Sequence, residues 1–132
     1  MAVEDYANIS AGSAVHQFCR VGKYSFIGGY SVVTKDALPF GRTIGSRPAR
    51  IFGVNSVGLV RRGFSADTIN QLKRAYRYLV QVNTTHALAQ IEADPTLTSA
   101  DVRYLVDFIR TSQRGAILRR PTRKTEELVA EE

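Results

Sequence analysis

Aliphatic residues recur at every sixth position through the first quarter of the chain: Val3, Ile9, Val15, Val21, Ile27 and Val33. Four residues after each stands a small one, namely Ala7, Ser13, Cys19, Ser25, Ser31 and Ala37, so two registers run in phase over six hexads. Gly12, Gly22, Gly28 and Gly29 fall near the expected turns. A period of six does not match the helical turn of about 3.6 residues, and an α-helix would scatter these side chains around its circumference. An alternating strand in an ordinary β-domain explains one register but not two in phase. A parallel β-helix explains both. Each hexad is a short strand and a corner, and three hexads close one triangular coil. The aliphatic points into the prism, and the small residue fits where the wall bends. Six hexads make only two coils, whereas solenoids need roughly three or more repeats. The first coil also presents an open edge. The chain is therefore expected to belong to a longer solenoid or to depend on oligomerisation.

After Lys35 the period breaks at Pro39, Gly41, Gly45 and Pro48, and segment 38–63 reads as a long irregular connection with extended pieces. Helical signals follow. Ser65 is a good N-cap, Asp67 suits the first turn, and Ile69, Leu72, Tyr76 and Leu79 form one apolar face. Thr84 or Thr85 starts a short helix carrying Leu88 and Ile91, ended by Asp94-Pro95. Ser99 caps a third helix with Asp101 in its first turn. Val102, Leu105, Val106 and Ile109 are its buried face, Arg110 lies near its end, and Gly115 is the expected stop. The fold class is thus mixed β + α, a β-helix of hexapeptide repeats followed by a small C-terminal helical subdomain. Expected boundaries are 1–50 for the coils and connecting loop, 51–120 for the helical part and 121–132 for a flexible tail.

Composition narrows the setting. The 132 residues are 44% apolar and 23% charged, as in ordinary soluble domains. No apolar run approaches the roughly 18 residues of a membrane span. The first residues, MAVEDY, are acidic and lack a signal core. One cysteine, Cys19, cannot form an intrachain disulfide, which fits a cytoplasmic location. The net charge is +6, with Arg47, Arg50, Arg61, Arg62, Lys73, Arg74, Arg77, Arg110, Arg114, Arg119 and Arg120 in the second half. Such a surface favours an anionic partner. No nucleic-acid-binding motif accompanies it.

Specific blocks narrow the reading further: VHQFCRVG at 15–22, GG at 28–29, VTKD at 33–36, RPARIFGVN at 47–55, GLVRRGF at 58–64 and FIRTSQRG at 108–115. With these the chain resembles, over roughly residues 3–118, the acyl-carrier-protein-dependent UDP-N-acetylglucosamine O-acyltransferases of lipid A biosynthesis. The resemblance implies a left-handed β-helix, a homotrimer and active sites between neighbouring subunits. It implies transfer of a 3-hydroxyacyl group from acyl carrier protein to the sugar 3-hydroxyl. No cofactor or metal is expected, because the acyl donor is a carrier-protein thioester. The family's general base is a histidine upstream of the VHQFC motif. Residues 1–14 contain no histidine. No catalytic residue is therefore assigned in this chain, and turnover by the chain alone is not expected. The alternative is a non-catalytic trimerising module that binds UDP-sugar or acyl carrier protein.

Individual residues carry these expectations. His16 follows the inward-pointing Val15, so it projects outward; by resemblance it lines the active-site cleft. Gln17, which can donate and accept, helps hold the nucleotide sugar. Arg61 and Arg62 supply guanidinium groups that suit phosphate oxygens, and by resemblance they contact the UDP moiety beside Asn55. Two residues after that asparagine the family carries a glutamate where this chain has Val57. Gly28 and Gly29 match the acyl groove, although corner geometry also explains glycine there. Lys73, Arg74 and Arg77 form a basic helix patch suited to the acidic carrier protein. Cys19 is explained by packing, and His86 matches nothing in the family.

Overall fold

The computed structural model describes residues 1–46, 48–81 and 83–121. Arg47, part of the expected basic surface, and most of the expected tail, 122–132, lie outside the described residues. The hexads form six two-residue strands: β1 (Ala2–Val3), β2 (Asn8–Ile9), β3 (Ala14–Val15), β4 (Arg20–Val21), β5 (Phe26–Ile27) and β6 (Val32–Val33). β1, β2 and β3 pair in parallel with β4, β5 and β6, eighteen residues on: Val3 with Val21, Ile9 with Ile27 and Val15 with Val33. The first three strands and the next three thus form two successive rungs joined as three parallel pairs; a closed β-helix is not seen among the described residues. In the second rung Val21, Ile27 and Val33 are fully buried, and so are the small residues Cys19, Ser25, Ser31 and Ala37.

A third register escapes the sequence reading. Tyr6, Gly12, Phe18, Tyr24 and Tyr30 all take a left-handed backbone, with φ of 60°, 74°, 68°, 57° and 55°. These are the corners. A left-handed non-glycine residue costs about 1–2 kcal/mol, and large aromatics are uncommon hosts. Stacking between rungs offsets that cost at one corner. The Tyr6 and Tyr24 rings lie 5.0 Å apart at an interplanar angle of 17°, and Phe40 continues the stack 6.0 Å beyond Tyr24.

Segment 38–63 is more regular than expected. It holds β7 (Gly41–Ile44), β8 (Arg50–Val54) and helix α1 (Ser56–Arg61). β7 pairs in parallel with β5, and β8 folds back antiparallel on β7. The glycines and prolines that read as breakers lie in and around a hairpin whose first strand is paired by β5 of the second rung, so no local pattern announces it. This hairpin straddles the expected 50/51 boundary, and Leu38 and Phe40 belong to the helical core.

Three longer helices follow: α2 (Ala66–Gln81), α3 (Thr84–Ala93) and α4 (Ala100–Arg110). Ser65 Oγ accepts from the Thr68 amide at 3.1 Å, and Ser99 Oγ accepts from the Asp101 amide at 3.1 Å. The cap of α3 is Asn83, one residue before the expected start; its side chain accepts from the His86 amide. The expected apolar faces of α2 and α4 are buried. α4 ends at Arg110 rather than at Gly115, whose φ of 81° instead turns the chain back to the coil. There Ala116 bridges Asp36, and Ile117 enters the coil core. A polar staple reinforces this return. The buried Asp36 carboxylate accepts from the Arg20 amide at 2.8 Å, Arg20 Nε at 3.4 Å and Ser112 Oγ at 2.6 Å. The Arg20 guanidinium in turn donates to the Phe108 carbonyl and lies 4.1 Å from that ring's centroid.

Candidate functional site

The arginine pair is held by backbone geometry at both ends of α1. Asn55 begins the helix by accepting from the Gly58 amide at 3.4 Å, while its Nδ2 donates to the Tyr24 carbonyl at 3.4 Å. The helix closes with Gly63 at φ 86°, a conformation that favours glycine. The Gly63 amide donates to the Val60 carbonyl at 3.1 Å, and the Phe64 amide to the Leu59 carbonyl at 3.0 Å. These two bonds are the 5→2 and 6→1 pair of a Schellman motif. Phe64 then packs edge-on to Tyr24 with centroids 4.8 Å apart. The Arg-Arg-Gly-Phe order is thus a stop signal followed by an anchor, with both guanidinium groups on exposed residues. Among the described residues neither arginine has a carboxylate partner. Arg62 lies over Tyr6, its guanidinium carbon 4.8 Å from the ring centroid. Val57, two residues after Asn55, is 66% exposed and offers this corner no charge.

His16 and Gln17 are exposed just after β3, before the Phe18 corner. His16 faces Arg114, with Nη2 at 2.9 Å from Nδ1. Arginine only donates, so Nδ1 is the acceptor and the proton sits on Nε2. The 3.4 Å approach of Nδ1 to the Gln17 carbonyl is then no hydrogen bond. His86 is exposed at the start of α3, and Cys19 is fully buried, as packing requires.

The glycine pair divides. A Cβ on the buried Gly28 would lie 2.8 Å from Ile44 Cγ1, so β7 fills the space beside it. Gly29 is exposed, and a Cβ there would meet only the Ala11 carbonyl oxygen, at 3.7 Å. The basic helix patch divides as well. Lys73 and Arg77 line a groove of about 290 Å³ with Ile51, Phe52, Val54 and Arg120. Arg74 turns away and donates to the Thr96 carbonyl at 3.3 Å.

The coil geometry separates the expected substrate-binding set. Asn55 and Arg62 contact Tyr24 and Tyr6, which stack at one corner, and Arg61 adjoins them. His16 and Gln17 precede Phe18, at another corner. A single chain does not bring the two groups together.

The family model for UDP N-acetylglucosamine O-acyltransferase, domain 2, matches residues 36–117, from the Asp36 staple to Ile117. The chain belongs to the UDP-N-acetylglucosamine O-acyltransferase family. It is 43% identical over 116 residues to the acyl-[acyl-carrier-protein]–UDP-N-acetylglucosamine O-acyltransferase of Thiobacillus denitrificans, covering 87% of this chain and 45% of that protein. The solved UDP-N-acetylglucosamine acyltransferase of Bacteroides fragilis superposes with a TM-score of 0.81 at 42% identity, over 88% of this chain and 45% of that one. The Francisella novicida enzyme gives 0.81 at 35% identity, over 91% and 44%. The chain thus spans just under half the length of the O-acyltransferases it matches. Among the described residues no helix is long and apolar enough to cross a membrane.

Two neighbours of the O-acyltransferase motifs were missed from sequence, Tyr6 beside Arg62 and Arg114 beside His16. Both are remote in the chain from the residues they touch. Arg114 lies inside the FIRTSQRG block, which was the one local hint.

Proposed function

We propose that this chain supplies the nucleotide-sugar and carrier-protein contacts of an acyl-[acyl-carrier-protein]–UDP-N-acetylglucosamine O-acyltransferase acting in lipid A biosynthesis. The sugar 3-hydroxyl oxygen attacks the thioester carbonyl of a 3-hydroxyacyl carrier protein. The new C–O bond forms as the C–S bond breaks, a base takes the hydroxyl proton, and the carrier thiol leaves. No metal or cofactor enters this step. Arg61 and Arg62 hold the diphosphate, Asn55 shapes the loop they stand on, and Gln17 and His16 Nε2–H hydrogen-bond the sugar nucleotide. No residue of this chain is assigned as the base: His16 Nδ1 is occupied by Arg114, and Nε2 carries the proton. Gly29, with open space at its surface, borders the acyl groove. Lys73 and Arg77 receive the carrier protein, with Arg74 less directly involved.

The observation that carries the reading is the arginine couple fixed by its Schellman stop, with no carboxylate partner among the described residues. The separation of the two substrate-binding groups supports a left-handed β-helical homotrimer, in which one copy's His16 corner meets the Arg61–Arg62 corner of the next. A cytoplasmic setting is supported by the lone, buried cysteine. Calorimetric titration with UDP-N-acetylglucosamine tests the site. Arg61→Ala and Arg62→Ala are each expected to weaken binding about tenfold or more, since a hydrogen bond to a charged group contributes about 1.5–3 kcal/mol. Affinity unchanged in both variants would remove the phosphate role.

A further inference from the structure

We infer that Tyr6 is the positioning residue for Arg62, carrying its guanidinium in the orientation that meets the diphosphate. The inference rests on the phosphate role proposed above for Arg62. Three observations converge on it. Arg62 is fixed at the backbone as the C-cap of α1, with its amide bonded to the Gly58 and Leu59 carbonyls at 3.1 Å. Its side chain, by contrast, has no carboxylate partner among the described residues, and a free arginine samples many rotamers. The group that holds it is the Tyr6 ring, 4.8 Å from the guanidinium carbon.

Tyr6 is itself built for the task. Its backbone is left-handed at φ 60°, a conformation costly for an aromatic residue. Its ring remains 58% exposed, so burial of this side chain does not explain the choice. The ring is backed by Tyr24 at 5.0 Å, and Tyr24 in turn by Phe40 and Phe64. A cation over the face of an aromatic ring is attracted by its quadrupole, while the in-plane N–H donors stay free for an anion. Among the described residues Arg61 has no such ring contact, so the two adjacent arginines differ: one is backed by an aromatic face and the other is not.

The test separates positioning from the phosphate reading. In the free chain, NMR should find the Arg62 side-chain protons shifted upfield by the ring current. The shift should vanish in Tyr6→Leu and persist in Tyr6→Phe; leucine is chosen because it is not β-branched. Absence of the shift in the parent chain overturns the inference whether or not UDP binds. In calorimetry with UDP, Tyr6→Leu should weaken binding about three- to fivefold, the size of an exposed cation–π contact, and Tyr6→Phe less than about twofold. In an Arg62→Ala background Tyr6→Leu should change nothing further, whereas in an Arg61→Ala background it should keep its full effect. Equal loss with and without Arg62 means that Tyr6 acts by another route, which overturns the inference. If the parent chain does not bind UDP while the ring-current shift is present, the phosphate reading fails and the Tyr6–Arg62 contact stands as a structural one.

Discussion

The two rungs of the coil carry the same residue types in the same register and differ in burial, although Val15 of the first rung is half-buried against the core. In the first, Val3 and Ile9 remain 45% and 37% exposed; in the second, Val21, Ile27 and Val33 are fully buried. Inward direction is a property of the strand, but burial comes from the neighbouring rungs. The second rung has the first on one side. On the other it has β7, Ala37 and the returning Ile117. Among the described residues the first rung has a neighbouring rung on one side only. In this architecture a sequence register predicts which way a side chain points, and only the stacking order predicts what it contributes.

The sharpest way to break this comparison is to shorten equivalent residues in the two rungs. Ile27→Ala opens a cavity in a covered core and is expected to cost about 3–5 kcal/mol in urea denaturation. Ile9→Ala, its partner in the same register, is expected to cost about 1 kcal/mol or less, because its side chain is only partly removed from water. Equal losses would mean that the first rung is covered in solution.

The next effect concerns what keeps the cover in place. Asp36 joins the second rung to the segment after α4, and its carboxylate takes three hydrogen bonds while 1% exposed. Asp36→Ala leaves the Arg20 amide and Ser112 hydroxyl without their acceptor, at an expected cost of about 2–3 kcal/mol. Hydrogen exchange should report it locally: the Ile117 amide, which donates to the Asp36 carbonyl at 2.9 Å, should lose protection first. Retained protection there would show that apolar packing of Ile117 is enough to close the coil.

What could be read from sequence divides by the range of the interactions involved. Helix caps and faces are local, so Ser65, Ser99 and the apolar stripes of α2 and α4 were legible, and the hexad period revealed the rungs. The β7–β8 hairpin was not, because its first strand is templated by β5 and its glycines and prolines resemble punctuation. The left-handed corners were hidden because tyrosine and phenylalanine are not residues expected at positive φ. At the candidate site the motifs singled out Arg61, Arg62, Asn55, His16 and Gln17 as expectations. The coil geometry that puts them on two corners, and the contacts of Tyr6 and Arg114, required the fold.

The smallest expected effect supplies a control on the helical side. Asp94 follows α3 and accepts from the Thr96 hydroxyl at 2.6 Å, the Thr96 amide at 2.9 Å and the Tyr78 hydroxyl at 2.8 Å. These bonds, those from Thr96 foremost, hold its carboxyl below the ordinary value of 3.8, and Arg74 nearby adds to the effect. A carboxylate whose acidity is increased by folding contributes stability above its unfolded value, and that contribution is lost as pH falls through the folded one. Unfolding midpoints measured from about pH 5 down to about pH 3 should therefore drop slightly more steeply for the parent chain than for Asp94→Asn. Tyr78 mirrors this at the alkaline end. Its hydrogen bond to Asp94 raises its pKa above 10.0, so its contribution is present below that value and fades as pH rises through the folded one. Because the cluster lies at the surface and is local, hydrogen exchange at Val21, Ile27 and Val33 should not respond to Asp94→Asn. A response there would mean that the α3–α4 turn and the second rung unfold as one unit. The contrast between the rungs would then belong to the whole molecule rather than to the stacking of the coil.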